Sequence, residues 1–273
     1  MGNSQRNYGR IVAFIYLMLP FTLVKQKLGF RLRKPPAGLP DFICIGAQKA
    51  GTTWLYKQLE SHTEVEMAHP KEVHYFDWFF YRSLRWYLSH FKQSGKKVRG
   101  EVTPGYSVIE QGRIRFMKRI MPDLKILLLL RDPRERAWSS ARFHFGKELR
   151  RDLTKVTNDE YIAHFNKTWV MQRGDYETIW KKWTTVFSKD QICVLFAEDI
   201  DKRPQMVRDS VTAFLGISKF TGGGEKERFN ESEKLDVPDE IREYLDKLYA
   251  PMIKRLPVLT GIDFSLWTDQ QLA

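Results

Sequence analysis

The sequence is poor in cysteine and has no internal repeat or low-complexity tract. Its two cysteines, Cys44 and Cys193, lie in the apolar runs DFICIG and QICVLF, so neither a disulfide framework nor a CxxC metal site is indicated. Buried free thiols favour a reducing compartment. With 273 residues, 42% of them hydrophobic, the chain is long enough to bury a large core and lacks the composition of a disordered protein.

Acidic residues are absent before Asp41, and this absence accounts for most of the basic charge. The net charge is +12, and subtracting the +7 of the first 34 residues leaves +5 for the rest. A mildly basic main domain suits an anionic ligand as well as a solvated surface, so binding to nucleic acid is disfavoured. The seven N-terminal cations are Arg6, Arg10, Lys25, Lys27, Arg31, Arg33 and Lys34.

Long hydrophobic runs are also lacking, because the longest candidate, Ile11–Val24, is short and contains Pro20. As a helix it would reach about 21 Å, less than the ~30 Å hydrocarbon core of a bilayer. No small-residue cleavage site follows it. It therefore predicts either peripheral membrane contact through residues 11–34 or an apolar helix packed on the protein, both ahead of a true membrane span. We divide the chain into this segment with its proline-rich linker, 1–40, and a main domain, 41–273.

From Asp41 onward, short apolar runs alternate with helical patterns. This order predicts an α/β fold, a P-loop-like central parallel β-sheet flanked by helices on both faces in a single domain. In such a fold, ligands bind beyond the carboxyl ends of the strands. The predicted strands are DFICIG, Lys97–Val102, Lys125–Leu130 and Gln191–Ala197, and the predicted helices include TTWLYKQLESH and YETIWKKWTTVF.

The loop GAQKAGTT, residues 46–53, follows the first predicted strand and resembles a phosphate-binding P-loop in its glycine spacing. Thr52 occupies the position of the P-loop lysine, and the lysine has moved back to Lys49. Backbone amides at a helix N-terminus, with Lys49 beside them, suit an anion whose negative charge grows as a leaving group departs. The alternative is an ordinary glycine turn with an exposed lysine.

A second motif, LLLLRDPRERAWSS, places Arg131 directly after a buried strand and Ser139 on the helix that follows. A guanidinium at a strand end suits a phosphate monoester, with which it forms bidentate charge-assisted hydrogen bonds. The alternative is a surface ion pair of Arg131 with Asp132 or Glu135.

Together, GAQKAGTTWL and LLLLRDPRERAWSS resemble the two donor-binding signatures of sulfotransferases that use 3′-phosphoadenosine 5′-phosphosulfate (PAPS). The resemblance covers most of Asp41 to Trp267. It implies that PAPS is the co-substrate, that no metal is required, and that Arg131 and Ser139 hold the 3′-phosphate. The residues implied at the 5′-phosphosulfate are Gln48, Lys49, Ala50, Gly51, Thr52, Thr53 and Trp54.

A third stretch, HPKEVHYFDW, is similar to the catalytic segment of heparan-sulfate-type sulfotransferases. The match implies that Glu72 is the general base and that His74 and Asp77 orient the acceptor or tune that base. The alternative is that Glu72 forms a surface salt bridge and that the His74 ring is packed in the protein.

The chain departs from the family pattern at two places. Trp54 is typical of cytosolic small-molecule sulfotransferases, and GEVTPGY carries Val102 where the glycan enzymes have lysine. Tyr106 of that motif is a candidate substrate contact. The nucleotide-closing loop is sought in TGGGEKERFN, where Lys226 and Arg228 are candidate 3′-phosphate ligands.

The expected activity is transfer of a sulfonate to a hydroxyl or amine, on a glycan or glycolipid acceptor. A small-molecule or lipid hydroxyl is the alternative acceptor, and a P-loop kinase is a further alternative that the threonine at position 52 disfavours. The expected location is the cytoplasm with membrane association, or the Golgi membrane if the chain is eukaryotic.

Overall fold

A sheet of five parallel strands in the order β2-β3-β1-β4-β5 forms the centre of the computed structural model, which describes residues 36–92, 95, 98–220 and 235–268. The three central strands are buried almost throughout, which explains why runs such as KILLLL are continuously apolar rather than alternating. The strands are β1 Phe42–Gly46, β2 Val65–Met67, β3 Val98–Val102, β4 Lys125–Leu130 and β5 Ile192–Phe196.

The helices of the described residues connect and flank these strands. A 3₁₀ helix, Pro104–Val108, follows β3, and a π-helix, Phe143–Glu148, continues α4. The α-helices are α1 Thr52–Ser61, α2 Leu84–Leu88, α3 Gln111–Ile120, α4 Pro133–Arg142, α5 Asn158–Phe165, α6 Thr168–Gly174, α7 Tyr176–Thr184, α8 Ala197–Lys202, α9 Pro204–Leu215, α10 Asp239–Thr260 and α11 Ser265–Thr268.

The predicted α/β class, with a central parallel sheet and flanking helices, is confirmed. Each of the four predicted strands is present to within a residue at either end. Strand β2 was missed because it has only three residues, VEM, too few to establish a period, and one of them is the buried Glu66. Residues 1–35, which include the predicted membrane-contact segment, and Lys226 and Arg228 lie outside the described residues.

The carboxyl ends of three adjacent strands meet at one edge of the sheet. Strand β1 lies between β3 and β4 and pairs with both in parallel. Beyond the strands, the amide of Ala47 donates to the carbonyl of Leu129 at 2.5 Å, and the amide of Thr103 donates to the carbonyl of Cys44 at 3.0 Å. The loops after β1, β3 and β4 are therefore held side by side.

A buried arginine anchors the C-terminal helices to the start of α4. Arg134 pairs with Asp132 and with Asp246 of α10, both at 2.6 Å, and donates to the carbonyl of Trp267 at 2.7 Å. Asp132 also caps α4 by accepting from the Arg134 amide. The turn after β4 is thus tied to elements more than a hundred residues away.

The close approach of β1 to β3 gives a test of the packing. Gly100 pairs with Phe42, and a Cβ at position 100 would lie 1.9 Å from Cζ of that ring. Since Phe42 is fully buried, we expect Gly100→Ala to destabilise the protein by about 1–3 kcal/mol or more. The midpoint of chemical denaturation measures this loss.

Gly146→Ala is the matched control, because its Cβ would lie 3.5 Å from Leu153, an ordinary contact. A Gly100→Ala protein as stable as this control would show that Phe42 does not pack against β3 as described.

Candidate active site

The loop between β1 and α1 has the backbone conformation that an anion-binding turn requires. Gly46 and Gly51 have φ values of 140° and 87°, and Lys49 between them is also left-handed at 68°. A Cβ at Gly46 would lie 2.9 Å from the carbonyl of Pro104, so glycine also permits the close approach of the β3 loop. Helix α1 begins directly at Thr52, with first-turn amides that have no acceptor within the helix.

Lys49 lies against an aromatic ring within a cluster of cations. Its Nζ is 4.1 Å from the centroid of the Phe143 ring. Burial, followed by the charges of Lys147, Arg131 and Arg142, lowers the pKa of Lys49 to about 8. An ammonium held this way would gain stability from a negatively charged ligand, because such a ligand would offset the repulsion.

The second predicted motif lies beside this loop, with Arg131 at the end of β4. Its guanidinium donates to Glu135 at 2.9 Å, so the ion pair considered as the alternative is present. Its backbone carbonyl accepts from the Tyr176 hydroxyl at 2.8 Å. Ser139 is buried on α4, at the spacing that places it on the same helix face as Glu135 and Arg142.

Sequence reasoning missed Arg142 and Lys147 as members of the cation cluster. Burial and the charge of Arg131 lower the pKa of Arg142, which locates these two guanidinium groups near each other. The spacing of Ser139 and Arg142 on one helix could have indicated Arg142. Lys147 could not be found this way, because the π-helix changes the residue spacing after α4.

Residues 72–78, which we name the Glu72 segment, contain three charged side chains, Glu72, His74 and Asp77, that contact one another in a row. The imidazole of His74 contacts Glu72 Oε2 through Nε2 at 3.2 Å and Asp77 Oδ2 through Nδ1 at 2.8 Å. Lys71 donates to the other oxygen of Glu72 at 3.1 Å. The His74 ring stacks on Trp78, with centroids 3.7 Å apart, and its backbone has a φ of 55°. The strained backbone and the stacking fix the ring between the two carboxylates.

The protonation states in this segment follow from these contacts. Burial lowers the pKa of His74, but hydrogen bonds to Asp77 and Glu72 outweigh it and raise the pKa to about 9. Burial raises the pKa of Glu72, but His74 and Lys71 hold it below its ordinary value. At neutral pH the pair is therefore an imidazolium and a carboxylate. Of the two, only Glu72 is able to accept a proton.

The Glu72 segment lies near the end of β1. The pKa of the Cys44 thiol is raised to about 11 by burial, and the charges of Lys71 and Glu72 both act on it. Lys49 and Arg131 therefore lie near each other after β1 and β4, at the strand ends where the sequence placed them, and Glu72 lies near β1 on the other side.

Other predicted residues lie in different surroundings. Tyr106 is fully buried, and its hydroxyl donates to Glu101 at 2.7 Å, so the predicted direct contact with substrate does not fit its position. Asp77 is also buried, with its carboxylate on His74 and the Trp78 amide. In the loop region, Ala50, Thr52 and Trp54 are buried and Gln48 and Thr53 are half-buried.

No group of three potential metal ligands among His, Cys, Asp and Glu occurs within the described ranges. Across those same ranges, no helix has both the length and the apolar character that crossing a membrane requires.

The structure is thus an α/β protein with a cluster of cations after β1 and β4 and an ionised carboxylate, Glu72, after β2. Residues 39–259 match the family model described as the sulfotransferase domain, and the chain belongs to that family. A solved sulfotransferase from Alicyclobacillus acidocaldarius is similar in structure, with a TM-score of 0.66 and 28% identity. The likeness covers 84% of this chain and 98% of that one.

Curated relatives give the same family at the level of sequence. Mouse heparan sulfate glucosamine 3-O-sulfotransferase 3B1 is 26% identical over 83% of this chain and 64% of its own length. The membrane-associated sulfotransferase kil1 of Dictyostelium discoideum is 36% identical over 40% of this chain. This chain spans only 23% of kil1 and 22% of the mouse bifunctional heparan sulfate N-deacetylase/N-sulfotransferase 4.

The cation cluster can be tested without any ligand. Because the pKa of Lys49 is about 8, its amine becomes neutral and reactive as the pH rises through 8. We expect trace acetylation, measured peptide by peptide by mass spectrometry, to titrate Lys49 with an apparent pKa near 8. Arg142→Gln removes one repelling charge and should move that titration to higher pH.

Arg255→Gln is the control, because Arg255 pairs with Glu177 on the surface. If Lys49 titrates near 10.5 in the wild type, or if Arg142→Gln and Arg255→Gln give the same Lys49 titration curve, then neighbouring cations do not lower the pKa of Lys49.

Proposed function

We propose that the protein transfers a sulfonate group from PAPS to a hydroxyl or amine of a glycan or glycolipid. The observation that carries this proposal is that Lys49, Arg131 and an ionised Glu72 all follow the carboxyl ends of parallel strands, β1, β4 and β2, of one sheet. Each position supplies one requirement of the reaction, namely a cation for the leaving group, a cation for a second phosphate and a base for the acceptor.

The identity of the donor is proposed from the residues around Lys49 and Arg131. The loop amides and Lys49 suit the 5′-phosphosulfate, and Arg131 with Ser139 suits the 3′-phosphate that distinguishes PAPS from ATP. Thr52 stands where a P-loop kinase has its lysine, which supports a donor that does not depend on Mg²⁺. Arg142 and Lys147 add positive charge to the same region.

The acceptor class is proposed from the Glu72 segment and from the relatives. Several relatives act on heparan sulfate by name, and one of them is similar over 83% of this chain. The hydrogen bonds among Glu72, His74 and Asp77 keep the Glu72 carboxylate ionised at neutral pH. A hydroxyl or amine acceptor requires such a base to take its proton.

In the proposed reaction, the acceptor oxygen or nitrogen forms a bond to sulfur as the bond from sulfur to the phosphate oxygen breaks. The proton of the acceptor passes to Glu72 Oε, and the electron pair of the broken bond remains on the departing phosphate. Lys49 and the loop amides stabilise the negative charge that develops there. His74, protonated between two carboxylates, keeps Glu72 in place and does not compete for the proton.

Donor binding is tested with 3′-phosphoadenosine 5′-phosphate (PAP) in calorimetric titrations. We expect PAP to bind and ATP–Mg²⁺ to bind much more weakly. Arg131→Ala should weaken PAP by about 1.5–3 kcal/mol, the free energy of a charge-assisted contact, and should affect adenosine 5′-phosphosulfate much less because it lacks the 3′-phosphate.

Arg255→Ala, which removes a surface arginine outside the site, should leave PAP affinity unchanged. Equal losses for both nucleotides in Arg131→Ala would mean that Arg131 supports the fold rather than the 3′-phosphate.

The role of Glu72 is tested by sulfate transfer from radiolabelled PAPS to de-O-sulfated heparan sulfate. Glu72→Gln keeps the size of the side chain and removes its capacity to accept a proton, so kcat should fall about 10²–10⁴-fold while PAP affinity is kept. Glu60→Gln, a carboxylate paired with Lys57 on α1, should retain the wild-type rate.

A Glu72→Gln enzyme with normal kcat would remove Glu72 from the reaction. If 4-nitrophenol is sulfated and the polysaccharide is not, the acceptor is a small molecule rather than a glycan.

A further inference from the structure

A buried carboxylate, Glu101, has no role in the proposed reaction but is linked by its hydrogen-bond partners to the Glu72 segment. Glu101 of β3 is 1% exposed and accepts hydrogen bonds from three hydroxyl groups. Tyr106 and Thr103 both donate to its Oε1 at 2.7 Å, and Tyr87 of α2 donates to its Oε2. An ionised carboxylate with three donors is a satisfied arrangement, and it holds the side chains around it in one geometry.

Two of these three donors contact the Glu72 segment. The Tyr106 hydroxyl, while donating to Glu101, also accepts from the amide of Phe76 at 3.2 Å. The Tyr87 ring stacks on Tyr75, with centroids 4.6 Å apart. Phe76 and Tyr75 lie between His74 and Asp77 in the chain, so Glu101 is connected to the backbone that carries both.

The neighbouring Gly105 shows how little room this region has for movement. A Cβ on Gly105 would lie 2.6 Å from Asp77 Oδ2 and 3.6 Å from His74 Cε1. A shift of the turn that carries Tyr106 would therefore bring its backbone against the Asp77–His74 pair.

We propose that Glu101 is a positioning residue, whose protonation rearranges its hydrogen bonds with Tyr87, Thr103 and Tyr106, disturbs the Glu72 segment and lowers the rate of the reaction. The link to rate rests on the proposed function, whereas the link to the geometry of His74 does not. When Glu101 binds a proton, one of its oxygens becomes a donor, and it faces three hydroxyls that were all donating to it. At least one of these hydrogen bonds must then reverse or break.

Burial is the main reason that this carboxyl binds a proton at neutral rather than acid pH. Burial raises the pKa of Glu101 to about 7, against the hydrogen bonds from Tyr87, Thr103 and Tyr106, and the charge of Asp77 also raises it. The titratable groups that face it are thus Tyr87 from α2, Tyr106 from the 3₁₀ helix and Asp77 from the Glu72 segment. Its register partner on β1 is the uncharged Ile43.

The test follows the ring signals of His74 by NMR in histidine-labelled protein as the pH is varied, with His74→Asn used for assignment. In the wild type we expect the titration of the ring at about 9 and a second inflection near pH 7, caused by Glu101. Glu101→Gln should abolish the second inflection. Glu66→Gln, a buried carboxylate of β2 near Arg99, should retain it.

Absence of an inflection near pH 7 in the wild type, or its persistence in Glu101→Gln, overturns the proposal. If Glu101→Gln does not fold, Tyr106→Phe replaces it, because this change removes the link to Phe76 and keeps the carboxylate. The inflection at His74 should then shrink, and an unchanged inflection overturns the proposal equally.

Sulfate transfer to de-O-sulfated heparan sulfate at saturating PAPS gives the functional readout. The wild-type kcat should be about tenfold lower at pH 6 than at pH 8, and this ratio should approach one in Glu101→Gln. PAP calorimetry separates the two hypotheses. If the wild type does not bind PAP, the proposed function is contradicted. If it binds PAP but the His74 signals show no inflection near pH 7, only the role of Glu101 is contradicted.

Discussion

The pairing of β1 with both β3 and β4 is the interaction on which the site depends. Because all three strands are parallel, their carboxyl ends lie at one edge, and the loops that follow them must share that edge. The contacts of Ala47 with Leu129 and of Thr103 with Cys44 continue the pairing past the strands. The ends of β1 and β4 carry Lys49 and Arg131, and the turn after β3 carries Gly105 against the Glu72 segment.

Buried charge is arranged differently in the two halves of this edge. Around Glu72, charges of opposite sign alternate, so the carboxylate stays ionised and His74 stays protonated. Around Lys49, cations are gathered together, and the cost appears in the lowered pKa of the lysine. In the first half, two cations, Lys71 and His74, are paired with two carboxylates, Glu72 and Asp77. In the second half, Lys49, Arg131, Arg142 and Lys147 outnumber Glu135 and Glu148, and the proposed donor would add negative charge there.

Much of this arrangement could be predicted from local patterns. The glycine spacing around Lys49 and the position of Arg131 after an apolar run are features of adjacent residues, and strand topology converts them into neighbours in space. What sequence reasoning missed depends on contacts between distant segments. Glu101 meets Tyr87 and Tyr106 only in the folded chain, and the same contacts bury Tyr106, which the motif alone suggested as a substrate contact.

The partners of Lys49 and Arg131 differ, and under the proposed function this difference would favour a strongly charged ligand at Arg131. Lys49 rests on the ring of Phe143, so an anion that reaches it displaces a neutral group. Arg131 rests on Glu135, so an anion that reaches it must compete with a carboxylate already in place. A weakly charged group would gain little there, whereas a dianion would outcompete the single charge of Glu135. Selectivity for a ligand with two separate phosphate positions would then come from the ion pair that the ligand replaces, as well as from the contacts that it makes.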